Sequence, residues 1–332
     1  MISLNTLEIL RTNLLSPIVL AFALGIITKL LKSEFSLPKD LYSSLSIYLL
    51  LALGLKGGVE LSVTKFHIFA LPALVTILLG CLTPISAYFL MRIVGRFSQV
   101  DSAALAAHYG SVSAVTFIAA VQFVHSMGAT TEGYLPTLLT LLESPGIHIA
   151  LAIGALQRAK NGQDNSIQPK TKGEILHEIV TARSMILLVG GLVLGFLFGT
   201  SGYDPIQPFF ESGFKGALVL FILEMGIVAA TRLVDLKQVG LPLIVLGILI
   251  PILHGTLGVI LGNYAGLSVG GCAVLGAMAG SASYIAAPPA VRMTLPEANP
   301  TYYLTASLAI TFPFNLVAGI PIYYKIAIWF HG

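Results

Sequence analysis

The sequence predicts an all-α membrane protein with about ten transmembrane helices, arranged as two inverted five-helix repeats whose broken helices cross at the midplane. Hydrophobic residues make up 56% of the 332-residue chain and charged residues only 10%, against roughly 25% charged in a soluble domain. This length accommodates about ten segments of roughly 20 apolar residues joined by short connections. The third observation is a motif that occurs twice, at corresponding places in the two halves.

The repeated motif lies inside long apolar runs, where glycine and neighbouring hydroxyl groups indicate an interrupted helix. Gly110-Ser111-Val112-Ser113 returns 170 positions later as Gly280-Ser281-Ala282-Ser283. Other landmarks recur in the same order: Leu24-Gly25 as Leu194-Gly195, Leu71-Pro72 as Leu241-Pro242, and, with a spacing of 168, Pro145 as Pro313. A series of matches in one order indicates duplication of a single unit.

The duplication divides the chain into a first five-helix repeat at 1–157, a cytoplasmic linker at 158–178 and a second, inverted repeat at 179–332. The linker is the one polar stretch with the composition of a solvated connection. The predicted spans are 14–31, 39–55, 66–91, 102–126 and 134–157, then 183–199, 208–230, 240–262, 268–290 and 301–329.

The orientation follows from the distribution of lysine and arginine. An odd number of spans per repeat places the second copy upside down in the membrane. With the linker in the cytoplasm, eight further basic residues fall on the same side: Lys29, Lys32, Lys39, Arg92, Arg96, Arg232, Lys237 and Arg292. Cytoplasmic loops are enriched in such residues, so both termini are predicted to lie outside.

Helix-breaking residues indicate where the spans end or bend. Gly54, Gly57 and Gly58 are expected to end the second span, and Pro251 to interrupt the eighth. Pro288-Pro289 closely follows the second serine motif. Non-helical backbone within a membrane is viable where it is buried in protein or lines a wet cavity. These breakers therefore predict a central site.

The two serine motifs are the candidate substrate-binding site. A broken helix presents unsatisfied amide groups, equivalent to roughly half a positive charge, and two such ends would hold a small anion. The predicted substrate-binding residues are Gly110, Ser111, Ser113, Gly280, Ser281 and Ser283. The predicted sodium or coupling residues are Ser113, Thr116, Glu143 and Ser283. Close packing of small residues is the alternative explanation for one such motif, but duplication in both halves favours a site.

Two acidic residues and one histidine within the spans have open roles. A carboxylate at the bilayer centre costs about 3 kcal/mol on insertion scales, so each is expected to face protein or water. Glu143 precedes Ser144-Pro145, which predicts an adjoining helix break and a sodium or proton ligand. Glu224 is equally compatible with a structural role as partner of a backbone amide. His108 is either a gate or a boundary residue.

Several classes of function are poorly supported by the sequence. The chain contains neither a Ser-His-Asp set nor a paired acid and base, so an enzyme is not expected. Its two cysteines have no metal-binding or disulfide spacing. A net charge of +3 without a basic-aromatic tract gives no reason to expect nucleic acid as a partner. We expect no cofactor other than sodium as a coupling ion.

The motifs resemble those of the sodium-dependent bicarbonate transporters known from cyanobacteria. The similar stretches are 110–116, 143–145, 280–283 with the following 288–292, the loop 296–300 and the glycine turn 54–58. The resemblance covers nearly the whole chain and is most specific from 276 to 300. One departure is Tyr284, since the family members carry an aspartate just after the second serine cluster.

The resemblance implies sodium-coupled symport of bicarbonate or a similarly small anion by alternating access, with a gate part, a core part and a homotrimer. It also implies a multi-pass protein of the bacterial plasma membrane, and it raises a small PII-like regulatory protein as a further partner. The rival functions on the same architecture are a sodium/proton antiporter, with Glu143 titrating, and a sodium-coupled organic-anion symporter.

Overall fold

The computed structural model describes residues 6–160, 181 and 183–332, and every secondary-structure element in these ranges is helical. The first half contains α1 (Thr6–Leu14), α2 (Pro17–Leu30), α3 (Lys39–Val63), α4 (Phe66–Phe89, extended by the π-helical turn Leu90–Val94), α5 (Gln99–Tyr109), α6 (Ala114–Ser126) and α7 (Leu135–Lys160). The second half contains α8 (Arg183–Tyr203), α9 (Gly213–Leu233, preceded by the π-helical turn Pro208–Ser212), α10 (Leu236–Tyr264), α11 (Val269–Ala279), α12 (Ala287–Thr294) and α13 (Pro300–His331). The predicted linker at 158–178 lies outside the described residues from position 161 onward.

The described residues form eight spans that are long and apolar enough to cross a membrane, with α5 and α6 counted together as one, or nine if α1 and α2, bent by 55°, also count as one span. The chain is thus a multi-pass, all-helical membrane protein. The predicted number of about ten is not confirmed, chiefly because the expected span at 268–290 is divided between two short helices. Of these, α11 has 11 residues and α12 has 8.

Helices α3 and α8 cross with their backbones in close contact at glycines. A Cβ atom on Gly54 would lie 2.6 Å from the Leu188 carbonyl oxygen, and one on Gly195 would clash with the Leu55 carbonyl. Small residues permit such approaches between membrane helices. The expectation that Gly54, Gly57 and Gly58 end the second span is wrong, because α3 continues to Val63 and its glycines serve this crossing.

Helices α2 and α9 form a second crossing of the same kind. A Cβ atom on Gly25 would clash with the Leu223 carbonyl oxygen, and one on Gly226 would clash with the Phe22 carbonyl oxygen. In both crossings, the first long helix of one half packs against the second long helix of the other half. The four helices α2, α3, α8 and α9 form a group beside the remaining helices.

Prolines inside the long helices are accommodated without ending them. Pro251 was expected to interrupt the eighth span, but α10 continues through it to Tyr264, and the non-helical residue within α10 is Gly240. Pro251 has no amide to donate to the Gly247 carbonyl oxygen one turn earlier, and that oxygen instead accepts from Thr311 Oγ1 at 2.7 Å. Neighbouring side chains can satisfy a backbone group that a proline leaves unpaired, so the helix need not break.

Candidate functional site

The first predicted interruption is present between α5 and α6. Helix α5 ends at Tyr109, and the Gly110 amide donates to the Ala106 carbonyl oxygen, 2.8 Å away. The backbone is non-helical up to Ser113, whose Oγ accepts a hydrogen bond from the Thr116 amide at 3.1 Å and so caps α6. We call residues 110–113 the first break. Its glycine and serine thus end one helix and start the next.

The second interruption separates α11 from α12. Gly280 follows the last residue of α11, and the backbone is non-helical from Gly280 to Ala286. Ser283 Oγ accepts from the Ala287 amide at 3.3 Å, and the two prolines that follow occupy the first turn of α12. A proline is tolerated there because the first turn has no helical acceptors for its amides. We call residues 280–286 the second break.

The two breaks contact each other, as the repeated motif predicts. The Ser113 amide donates to Ser281 Oγ at 2.9 Å, and Ser113 Oγ donates to the Tyr284 hydroxyl at 3.3 Å. These bonds join residues about 170 positions apart in the chain, so the two halves meet at their interrupted segments.

His108 provides a second connection between the breaks. The Ser283 amide donates to the His108 carbonyl oxygen at 2.8 Å, and His108 Nδ1 lies 2.6 Å from the Ser283 carbonyl oxygen. Because a carbonyl only accepts, Nδ1 carries the proton in this bond. The imidazole is fully buried and stacks on Tyr303, with ring centroids 4.7 Å apart. The sequence left His108 as either a gate or a boundary residue. In the structure it lies near the end of α5 and joins that end to the second break.

A small cavity lies beside the contact between the breaks. Its volume is about 20 Å³. That volume holds about one or two water-sized particles. Its polar lining consists of Ser113, Glu143, Ser184, Ser283 and Tyr284, and the remaining lining is apolar or backbone. Three predicted site residues, Ser113, Glu143 and Ser283, are therefore brought together.

The other predicted residues support the breaks without lining this cavity. Ser111 Oγ donates to the Glu143 carbonyl oxygen at 3.0 Å, and Ser281 Oγ donates to the Met278 carbonyl oxygen at 2.7 Å. The Thr116 amide caps onto Ser113, as described above. Gly110 and Gly280 allow close packing, since a Cβ atom on either would lie within 2.6 Å of a neighbouring helix.

Glu143 reaches the cavity from the middle of a continuous helix. The expected break beside Pro145 is absent, since α7 continues from Leu135 to Lys160. The residue is buried, at 7% exposure, and lines the cavity together with Ser184 of α8. The cavity thus lies where α7 meets the four-helix group of α2, α3, α8 and α9.

Two polar lining residues were not among the predicted site residues. Ser184 follows the linker at the start of α8, where no repeated motif marks it, so its position emerges only from packing. Tyr284 was noted as a departure from the resembled family. Its hydroxyl lines the cavity, and its ring packs edge-on against Phe312 at 5.4 Å.

Glu224 lies away from the cavity and has a structural partner. Its Oε2 accepts a hydrogen bond from the Leu37 amide at 3.1 Å, which ties α9 to the segment before α3. Of the two roles left open for Glu224, the structure supports that of a partner for a backbone amide.

Apolar helices packed around two interrupted helices, which meet at a small polar cavity, define an architecture typical of secondary transporters. A comparison with protein families agrees with this class. The profile of the Na+-dependent bicarbonate transporter superfamily matches residues 17–328, and the chain belongs to this superfamily. Membership agrees with the resemblance drawn from the motifs and makes the protein a member of a transporter family. No curated protein matches the chain in sequence.

Proposed function

We propose that the protein is a symporter that couples the movement of bicarbonate, or a similarly small anion, to sodium. The observation that carries this proposal is the contact between the two breaks beside a cavity lined by Ser113, Ser283 and Glu143. Membership of the superfamily supports both solutes. The location and chemistry of the cavity are the basis for assigning a role to each residue.

The anion is held at the amide end of α6, which begins beside the cavity with its capping residue Ser113. The first turn of α12 contains two prolines without amide protons, so its contribution is the Ser283 hydroxyl. The amides of a helix N-terminus carry partial positive charge and bind anions without lysine or arginine. The hydroxyl groups of Ser113 and Ser283 supply further hydrogen bonds to the oxygens of the anion.

Sodium binds next to the anion, between Glu143 and the serine hydroxyls. Carboxylate and hydroxyl oxygens suit a hard cation, and Glu143 is the one acidic side chain in the described lining. Each ion favours the binding of the other because their charges are opposite. One sodium with one monovalent anion moves no net charge, so we propose electroneutral coupling. The neutral phenol of Tyr284 supplies no carboxylate for a second sodium.

Transport proceeds by alternating access within two inverted repeats. The cavity holds one or two water-sized particles, whereas bicarbonate has four heavy atoms, so the surrounding helices must move to admit it. At the two glycine crossings α2 packs against α9 and α3 packs against α8. Each half thus packs its first long helix against the second long helix of the other half, and this reciprocal packing supports the inverted arrangement. The four-helix group is the gate, the remaining helices are the core, and Glu143 and Ser184 line the cavity between them.

Further parts of the proposal rest on the charge distribution and on the family. We place the protein in the bacterial plasma membrane with both termini outside, as a homotrimer. We expect regulation by a PII-like protein, as the resemblance to the family implies.

The decisive experiment is uptake of labelled bicarbonate into proteoliposomes with and without a sodium gradient. We expect sodium-dependent uptake that is lost in Ser113→Ala and Ser283→Ala. The matched control is Ser126→Ala, because Ser126 lies on α6 and its hydroxyl donates to the Phe123 carbonyl oxygen, away from the cavity. Full uptake in both cavity variants would place the site elsewhere. Proton movement that follows sodium but not bicarbonate would establish the antiporter instead.

A further inference from the structure

The last helix, α13, is not a uniform α-helix. It contains two π-helical turns, Ala306–Thr311 and Asn315–Gly319. Single π turns within α-helices are frequent at functional sites. Here, Thr311 ends the first turn and Asn315 begins the second. Both side chains are polar and have no exposed surface, so their hydrogen-bond partners lie inside the protein.

Thr311 connects α13 to the first break. Its Oγ1 donates to the Gly247 carbonyl oxygen of α10 at 2.7 Å. That bond uses the only hydroxyl proton of Thr311, so the Tyr109 hydroxyl, 2.8 Å away, must be the donor to Thr311 Oγ1. Tyr109 is the last residue of α5 and directly precedes Gly110. The start of the first break is thereby fixed to α13.

Asn315 connects α13 to the second break. Its Nδ2 donates to the Gly280 carbonyl oxygen at 2.8 Å. This carbonyl lies at the C-terminal end of α11 and has lost its helical partner to the interruption. The Tyr323 hydroxyl lies 3.0 Å from Asn315 Oδ1 and 2.9 Å from the Pro251 carbonyl oxygen of α10, and its single proton is shared between these two acceptors. This contact orients the Asn315 amide group, and three helices meet here.

Three glycines leave the space that these side chains occupy. A Cβ atom on Gly319 would clash with Asn315 Oδ1, and one on Gly255 would clash with the Tyr323 ring. A Cβ atom on Gly280 would lie 2.6 Å from the Tyr323 hydroxyl oxygen. Glycines on α10, on α13 and at the end of α11 therefore leave room for the Asn315 and Tyr323 side chains. The sequence thus provides for this hydrogen-bond network on three helices.

We propose that Thr311 and Asn315 are positioning residues, whose hydrogen bonds from the two π turns of α13 hold both breaks in the geometry that binds the transported ions. The inference rests on the proposed function for its transport readout. Neither residue lines the cavity, so each acts through the backbone that it fixes. Their loss is expected to weaken ion binding while the movement between gate and core persists.

The test compares Asn315, which begins the second π turn, with Asn13, which donates hydrogen bonds to that turn. Asn315→Leu removes the bond to Gly280. Asn13→Leu is the matched control, because Asn13 is also buried, at 3% exposure, and its Nδ2 donates to the carbonyl oxygens of Leu316 and Val317 at 2.7 and 3.0 Å. Those acceptors belong to α13 and not to a break, so the control loses comparable buried hydrogen bonds.

We expect Asn315→Leu to raise the sodium concentration for half-maximal uptake and the KM for bicarbonate about tenfold, equivalent to about 1.4 kcal/mol, with Vmax largely kept. Hydrogen exchange of the amides at 280–286 should become faster in the same variant. Asn13→Leu should lower Tm and leave KM and this exchange as in the wild type. Equal effects of the two substitutions on KM and exchange would overturn the proposal.

Two further variants keep the test decisive. Should Asn315→Leu fail to fold, Tyr323→Phe removes only the hydroxyl that orients Asn315, and a smaller rise of KM with faster exchange at 280–286 is expected. Thr311→Val should speed exchange at 110–113. Unchanged exchange in both variants would refute the positioning role. Absence of bicarbonate uptake by the wild type would refute the proposed function instead, and the exchange measurements would still decide the role of these residues.

Discussion

Adding one methyl group at the second break tests whether its position matters for transport. In Gly280→Ala the new Cβ atom would lie 2.6 Å from the Pro251 carbonyl oxygen and 2.6 Å from the Tyr323 hydroxyl oxygen. Carbon and oxygen atoms approach to about 3.3 Å, so roughly 0.7 Å of displacement is required on each side. Because these two neighbours are hydrogen-bonded to each other at 2.9 Å, they resist being displaced. We therefore expect the second break to move instead.

The backbone of Gly280 is compatible with alanine, since its φ is −83°, so the effect is steric. Overpacking of this size costs about 1–3 kcal/mol. A misplacement near 1 Å at a site can cost about a hundredfold in rate. We therefore expect Gly280→Ala to lower Tm by a few degrees and to reduce sodium-dependent uptake by about two orders of magnitude.

The control for this substitution is Gly190→Ala on α8. A Cβ atom at Gly190 would meet no described atom within 4 Å. Alanine favours a helix over glycine by about 1 kcal/mol, so this variant should be as stable as the wild type or slightly more so, with full uptake. Wild-type uptake and Tm in Gly280→Ala would refute the reasoning, because the break would then have tolerated the displacement.

Three other substitutions test separate parts of the proposal. Glu143→Gln keeps the shape of the side chain but removes its charge, so sodium should no longer stimulate uptake in proteoliposomes; retained stimulation would place the cation elsewhere. Tyr284→Asp adds a carboxylate to the cavity and should make uptake depend on membrane potential, since each additional sodium contributes about 2.3 kcal/mol per 100 mV. Potential-dependent uptake already present in the wild type would contradict electroneutral coupling. Glu132→Ala removes the Oε1 that accepts from the Ser268 amide at the start of α11, at 2.6 Å, and should cost about 1 kcal/mol of stability without changing KM. An unchanged Tm would show that this cap contributes nothing.

The interrupted helices were predictable from the sequence because local chemistry produces them. A serine hydroxyl caps the helix that follows each motif, so the motifs at 110–113 and 280–283 specify the new helix starts locally. The pairing of the two motifs followed from their duplication. These features depend on residues within one turn of each other.

The roles of the other glycines and prolines depended on distant partners. Gly54 and Gly58 were expected to end a helix, yet the structure uses them where α8 crosses α3. Pro145 and Pro251 were expected to break helices that continue through them. Within a membrane bundle, the carbonyl that a proline leaves without an amide donor finds a partner on another helix, as the Gly247 carbonyl does in Thr311. No local pattern announces that partner.

The two halves treat their breaks differently, and this asymmetry bears on the coupling ion. At the spacing of 168 that relates Pro145 to Pro313, Glu143 of α7 corresponds to Thr311 of α13. Glu143 lines the cavity, whereas the Thr311 hydroxyl is hydrogen-bonded to Gly247 and Tyr109. In the two proposed repeats, the corresponding position thus serves an ion in the first half and the structure in the second half.

This asymmetry places the proposed cation on the side of the cavity that faces α8. Ser184 of α8 lines the cavity beside Glu143, so a sodium at Glu143 would lie where α7 meets the four-helix group. Thr311→Glu would therefore not create a second cation site, because its side chain would be directed at the network of Tyr109 and Gly247. We expect that variant to lose stability without a gain in sodium stoichiometry, measured as the ratio of sodium to bicarbonate taken up. A raised ratio would show that position 311 reaches the cavity after all.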